Sequence, residues 1–161
     1  CVEGALKDLR GVSEVIPGYS GGHVDDPTYE QVCGKRTGHA EAVMVSFDPE
    51  VISRRQLFDV FFCIHDSTQL NRQGNDVGPQ YRSIILHSTQ EQREEALAVI
   101  EEISDDYADP IVTEVVPLER FWPAENYHVN YYSNNPNNQY CQIVVSPKLA
   151  KVRATFSHLY R

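Results

Sequence analysis

The sequence predicts an α/β (α+β) fold, a two-layer sandwich in which helices lie against a mixed sheet. Two observations carry that expectation. Segments with helical and strand periodicity alternate along the chain, with no internal repeat or linker between them. The 161 residues are 41% hydrophobic and 23% charged, the composition of one globular domain with a real core.

Taken in order, Val2 to Leu9 reads as a short helix closed by Gly11, and Ser13 to Pro17 as a strand. Gly18 to Pro27 holds three glycines and reads as an irregular loop. Thr28 with Gln31 makes a capping box that opens a helical turn at Tyr29. Ala40 to Phe47 alternates as a strand until Asp48-Pro49. Ser53 with Gln56 is a second capping box, opening a helix through Cys63. Asp66 to Gln80 is a polar loop longer than a mere connection needs. Tyr81 to Leu86 reads as a strand, Gln90 to Ile103 as an acidic amphipathic helix, and Ile111 to Val116 as a strand. Pro123 suits the first turn of a short helix through Tyr132, and Asn134 to Gln139 is a polar segment around Pro136. Leu149, Val152, Phe156 and Leu159 space out a last helix. A helix at residue 2 with no strand ahead of it leads us to expect a first strand upstream.

The formal net charge of -9 repels a phosphate backbone, and basic residues gather only from Lys148 onward, so nucleic acid is not an expected partner. The most apolar run, Leu57 to Ile64, contains Asp59 and is too short to span a bilayer. No signal-peptide pattern is visible. The four cysteines, Cys1, Cys33, Cys63 and Cys141, form no C-x-x-C pair, which points to thiols in a reducing, cytoplasmic setting. His39, His65 and His128 show no ligand spacing, so neither a metal nor a cofactor is expected.

Glu41 is the most informative position. It shares strand parity with Val43, Val45 and Phe47, and a carboxyl on that apolar face has a raised pKa suited to a general acid. The other reading is a strand-end glutamate that reaches solvent. Tyr29 and Tyr81 border the two loops and offer phenolic donors, although a tyrosine often only buries its ring. Asn71 to Gly78 is either a site loop or a solvated one. Cys63 and Cys33 read as structural. Cys141 follows the polar Asn-rich segment, where a thiol can travel to meet another.

Four stretches, P-T-Y-E-Q-V-C (27 to 33), T-G-H-A-E-A-V (37 to 43), H-D-S-T-Q-L-N-R-Q-G-N-D-V-G-P-Q-Y-R-S (65 to 83) and P-A-E-N-Y-H (123 to 128), closely resemble the A-type peptide methionine sulfoxide reductases. S-P-K-L-A-K (146 to 151) resembles that family's C-terminal extension. The resemblance implies a single domain with a ferredoxin-like core and a long C-terminal extension, acting as a monomer. It also implies thiol-dependent reduction of methionine S-sulfoxide, free or in proteins, through a cysteine sulfenic acid and a disulfide that thioredoxin reduces. By the same resemblance Glu41 matches the proton donor, Tyr29 and Tyr81 the oxygen-binding tyrosines, Asp76 the supporting loop aspartate and Cys141 a recycling cysteine.

Two departures stand out. The family's nucleophile lies in a Gly-Cys-Phe-Trp motif, which alignment places upstream of Cys1, so we expect the attacking thiol there. Cys1 as a stand-in near a helix N-terminus is the alternative. The family's H-D-P-T is H-D-S-T here, with Ser67 in place of proline. Two competing readings remain at this point: a chain that binds oxidised methionine without reducing it, and a cysteine hydrolase pairing a thiol with His39 or His128.

Overall fold

The computed structural model describes residues 2–74, 76–124 and 146–161, and divides the chain into two compact units. The first comprises Cys1–Pro17, Val43–His65 and Glu125–Arg161, the second Gly18–Ala42 and Asp66–Ala124. The α+β class holds, since helices occur with both antiparallel and parallel strand pairs.

In the first unit, helices α1 (Val2–Leu6), α3 (Arg54–Ile64) and α5 (Ser146–Thr155) pack against one another. The capping box at Ser53 and Gln56 forms as expected, with backbone N–H groups donating at 3.1 and 2.9 Å in the two directions. It sets α3 in phase, so that Leu57, Val60 and Ile64 share one buried stripe. Leu9, Val12, Ile52, Leu149 and Val152 complete an apolar core. The chain end is tied in as well: the Tyr160 hydroxyl donates to the Ala5 carbonyl at 2.5 Å and Arg10 N–H to the Leu159 carbonyl at 2.7 Å. Cys63 is half-buried against this core, as a small hydrophobe should be.

Strand β1 (Val12–Ser20) lies between β2 (Ala40–Phe47) and β7 (Phe121–Pro123) in the order β2-β1-β7. In the second unit β7 runs antiparallel to the end of β1, with Gly18 opposite Pro123 and Ser20 opposite Phe121. There β5 (Ile84–His87) pairs in parallel with β6 (Glu114–Pro117), and α4 (Gln90–Ile103) makes the crossover that a parallel pair requires. Helix α4 rests on both strands through buried Ala96 and Val99. Glu91, Glu94, Glu101 and Glu102 are exposed on its other faces and contribute to the acidity. Two further elements, α2 (Tyr29–Cys33) and the hairpin of β3 (Arg72–Gln73) and β4 (Asp76–Val77), belong to the same unit.

Several boundaries differ from the sequence reading. Pro123 is the last residue of β7, an outer strand among the described residues, where a residue without an N–H is tolerated, and the helix expected from it through Tyr132 lies mostly outside the described residues. β1 continues past Pro17 to Ser20, and its pairing with β7 begins only at Gly18. Tyr81 lies in a 3₁₀ turn over Pro79–Tyr81, so the strand expected from Tyr81 starts at Ile84. Pro79 at the first turn position fixes the φ that this turn needs. Cys1, and the segment with His128, Asn134 to Gln139 and Cys141, lie outside the described residues.

Candidate active site

Helix α2 has only five residues, too few to persist on propensity alone, and its ends are held by specific bonds. Gln31 N–H donates to Thr28 Oγ1 at 3.2 Å and Thr28 N–H to Gln31 Oε1 at 2.8 Å. Val32 is buried and anchors the turn. Tyr29 and Cys33, four residues apart, share one face. A hydrogen bond with the Cys33 thiol is the leading cause that raises the Tyr29 hydroxyl pKa, followed by burial. The phenol is therefore kept in its proton-bearing form.

The long loop after residue 65 is built from its own hydrogen bonds. The Gln73 side chain accepts from Asp66 N–H at 2.7 Å and donates to the Asp66 carbonyl at 3.1 Å. Gln69 Oε1 accepts from Gly74 N–H at 2.7 Å. Those bonds close the hairpin that carries Asp76 opposite Gln73. Gly78 then donates to the Asn71 carbonyl at 2.9 Å and accepts from Tyr81 N–H at 3.1 Å, leading into the turn. Gly78 has φ +148°, a backbone conformation in which a side chain is strained, so glycine suits this position. Tyr81, at the end of that turn, has its pKa raised by burial and by the charges of Glu41 and Asp76.

Glu41 stands one residue inside β2, after the Thr37-Gly38-His39 segment. His39 is buried, its Nδ1 accepting from Gly22 N–H at 3.0 Å and its Nε2 donating to the Val24 carbonyl at 2.6 Å. His23 N–H donates to the Thr37 carbonyl at 2.9 Å. The glycine-rich loop thereby lies directly on this segment, and a Cβ on Gly22 would fall 2.3 Å from His39 N. Beyond this hub Glu41 is exposed. Surrounding protein nevertheless strips enough water from the carboxyl to push its pKa up to about 7, and the negative charge of Asp76 adds to the effect. The two sequence readings of Glu41 thus meet: its pKa is raised, as the apolar-face reading expects, while the residue is exposed, as the strand-end reading expects.

Four of the five expected site residues fall in one unit and act on one another. The Glu41 charge is felt by both hydroxyls, Asp76 by Glu41 and Tyr81, and Cys33 by both tyrosines. Cys141, the fifth, lies outside the described residues. Sequence reasoning took Cys33 as structural, although its i, i+4 spacing from Tyr29 was the available signal. It also gave His39 no task beyond a possible base. Both ring nitrogens of His39 are spent on backbone groups, so it cannot activate a thiol. Among the described residues no cluster of His, Cys, Asp or Glu could hold a metal ion, and no helix is long and apolar enough to cross a membrane.

A family model described as peptide methionine sulfoxide reductase matches residues 1–159. The chain belongs to that family. Among similar proteins is the peptide methionine sulfoxide reductase MsrA of Haloquadratum walsbyi, 55% identical over 157 residues, covering 98% of this chain and 90% of that one. The crystal structure of reduced Mxr1 from Saccharomyces cerevisiae superposes with a TM-score of 0.80 at 34% identity, over 86% of this chain and 79% of Mxr1. Mxr1 in complex with Trx2 matches with a TM-score of 0.53 at 25% identity, over 74% of this chain and 66% of that one. As a methionine sulfoxide reductase this chain is an oxidoreductase working through thiol chemistry. The reading in which it merely binds its ligand finds no support.

Proposed function

We propose that the reductase acts on the S epimer of methionine sulfoxide, with Glu41 as proton donor to the sulfoxide oxygen and the Tyr29 and Tyr81 hydroxyls as its hydrogen-bond donors. The observation that carries this is the carboxyl with a pKa of about 7 within electrostatic reach of two protonated phenols. Attack of a cysteine thiolate on the sulfoxide sulfur drives negative charge onto the oxygen, and a neutral acid flanked by donors stabilises that charge. Methionine leaves, and the enzyme keeps the oxygen as a cysteine sulfenic acid. A second thiol, Cys141, condenses with it, releasing water and leaving a disulfide. Asp76 holds the Glu41 proton in place by its charge.

Thioredoxin returns the disulfide to two thiols in this proposal, a step supported by the Mxr1 relative having been seen with Trx2. The free thiols of Cys33 and Cys63 fit a reducing compartment, the cytoplasm, where the enzyme would repair oxidised proteins as a monomer. The test is incubation of the full-length protein with each epimer of dabsyl methionine sulfoxide and dithiothreitol. Turnover of the S form alone is expected, and turnover of neither rejects the proposal.

A further inference from the structure

Arg82 follows Tyr81 and has no part in the chemistry above, yet its side chain is only 12% exposed. Its Nη2 donates to the Gly38 carbonyl at 2.8 Å and its Nη1 to the Pro79 carbonyl at 2.9 Å. Nε donates to Glu114 Oε2 on β6 at 3.1 Å, which balances the charge. A Cβ on Gly21 would lie 3.3 Å from Nη2, so the glycine-rich loop reaches the same group. Four segments thus meet on one planar guanidinium.

Two of those segments carry the site. Glu41 comes three residues after Gly38, and Tyr81 two residues after Pro79. The two carbonyls are held by nitrogens on the same guanidinium carbon, so the spacing of the segments is fixed by covalent geometry. An ammonium on a flexible stem cannot reproduce that fork. Arg82 is not among the charges that move the Glu41 pKa, so its influence on Glu41 is geometric. We propose that Arg82 is a positioning residue of this active site, setting the separation between the segment that bears Glu41 and the turn that bears Tyr81. The spacing of acid and phenol around the sulfoxide oxygen then depends on this clamp.

The inference rests on the reductase reading, so single-turnover reduction of dabsyl methionine S-sulfoxide by the full-length wild type is measured first. A wild type without turnover overturns that reading, independently of Arg82. With wild-type turnover in hand, Arg82→Ala is expected to slow the reductive step about tenfold or more, with a smaller change in KM, because misplacement near 1 Å costs on the order of 100-fold. Arg82→Lys, which keeps the charge, should lose a comparable factor. Millimolar guanidinium should restore part of the rate to Arg82→Ala, and the loss should shrink in a Tyr81→Phe background, where one positioned group is gone. Wild-type rates in both Arg82 variants would overturn the inference. So would a loss that guanidinium does not relieve and that is equal in both backgrounds, since that is the mark of a merely structural side chain.

Discussion

The two units of this reductase bury different kinds of side chain. In the first, Leu9, Val60 and Val152 are wholly enclosed, and the core cluster is apolar apart from the Tyr160 hydroxyl, which bonds Ala5. In the second lie all the buried polar residues among those described: Ser20, Thr37, His39, Ser67, Gln80 and Ser83. Apolar burial is non-directional and tolerates swaps that conserve volume. Hydrogen bonds between buried groups are directional, and each one lost leaves an unpaired partner. The first arrangement gives stability that does not depend on orientation. The second orients the segments next to Glu41 and Tyr81 through His39 and Ser83, and makes them sensitive to small changes.

The largest expected effect sharpens this contrast at Glu41. Glu41→Gln should slow the reductive step by about 100- to 10,000-fold, the range for losing a positioned acid, in single-turnover assays. In the wild type the donor is protonated below about 7, so the Glu41-dependent rate should fall as pH rises through 7, and that limb should vanish in the variant. Stability carries the same sign. The folded carboxyl holds its proton up to about 7 and the unfolded one only to about 4.5, so the folded chain binds more protons in between. Its contribution is complete below about 4.5 and is lost as pH rises through 7. Glu41→Gln should therefore flatten the decline in Tm between these limits.

Next come the phenols. Tyr29→Phe combined with Tyr81→Phe should cost about 100-fold or more in kcat, with each single change costing less while the other hydroxyl remains. Leu9→Ala breaks the comparison from the other side. It should remove about 2–5 kcal/mol of stability by denaturant unfolding and leave the pH limb of the reaction in place. A lost limb in that variant would mean that the apolar unit also tunes the acid. Smallest is Ser67, buried with no hydrogen-bond partner for its hydroxyl among the described residues. Ser67→Ala should be neutral or raise stability by about 1 kcal/mol, read from the urea midpoint.

Local signals were legible in the sequence where the interaction is local. Both capping boxes, the bounds of β2 and those of α4 follow from neighbouring residues, and each forms as read. Tyr81 misled because strand propensity was weighed without the Gly78-Pro79 start of a turn. That Pro123 closes β7 was not legible, because its tolerance there depends on which described strand lies outermost, a fact of topology. Arg82 carried no signal, since two of its partners are backbone carbonyls of residues 38 and 79 and the third is the Glu114 carboxylate 32 residues away, none of them marked by local spacing.

By itself the sequence determined the α+β class and the family, and it singled out Glu41, Tyr29, Tyr81 and Asp76 as the candidates for the proposed site, because motif and periodicity are properties of order along the chain. Only the tertiary structure decided that Glu41 is exposed yet holds its proton to about 7, that His39 is locked onto a loop backbone, and that Arg82 joins two distant segments. Desolvation and long-range hydrogen bonds depend on which groups meet in space, and a chain fixes that only when it folds.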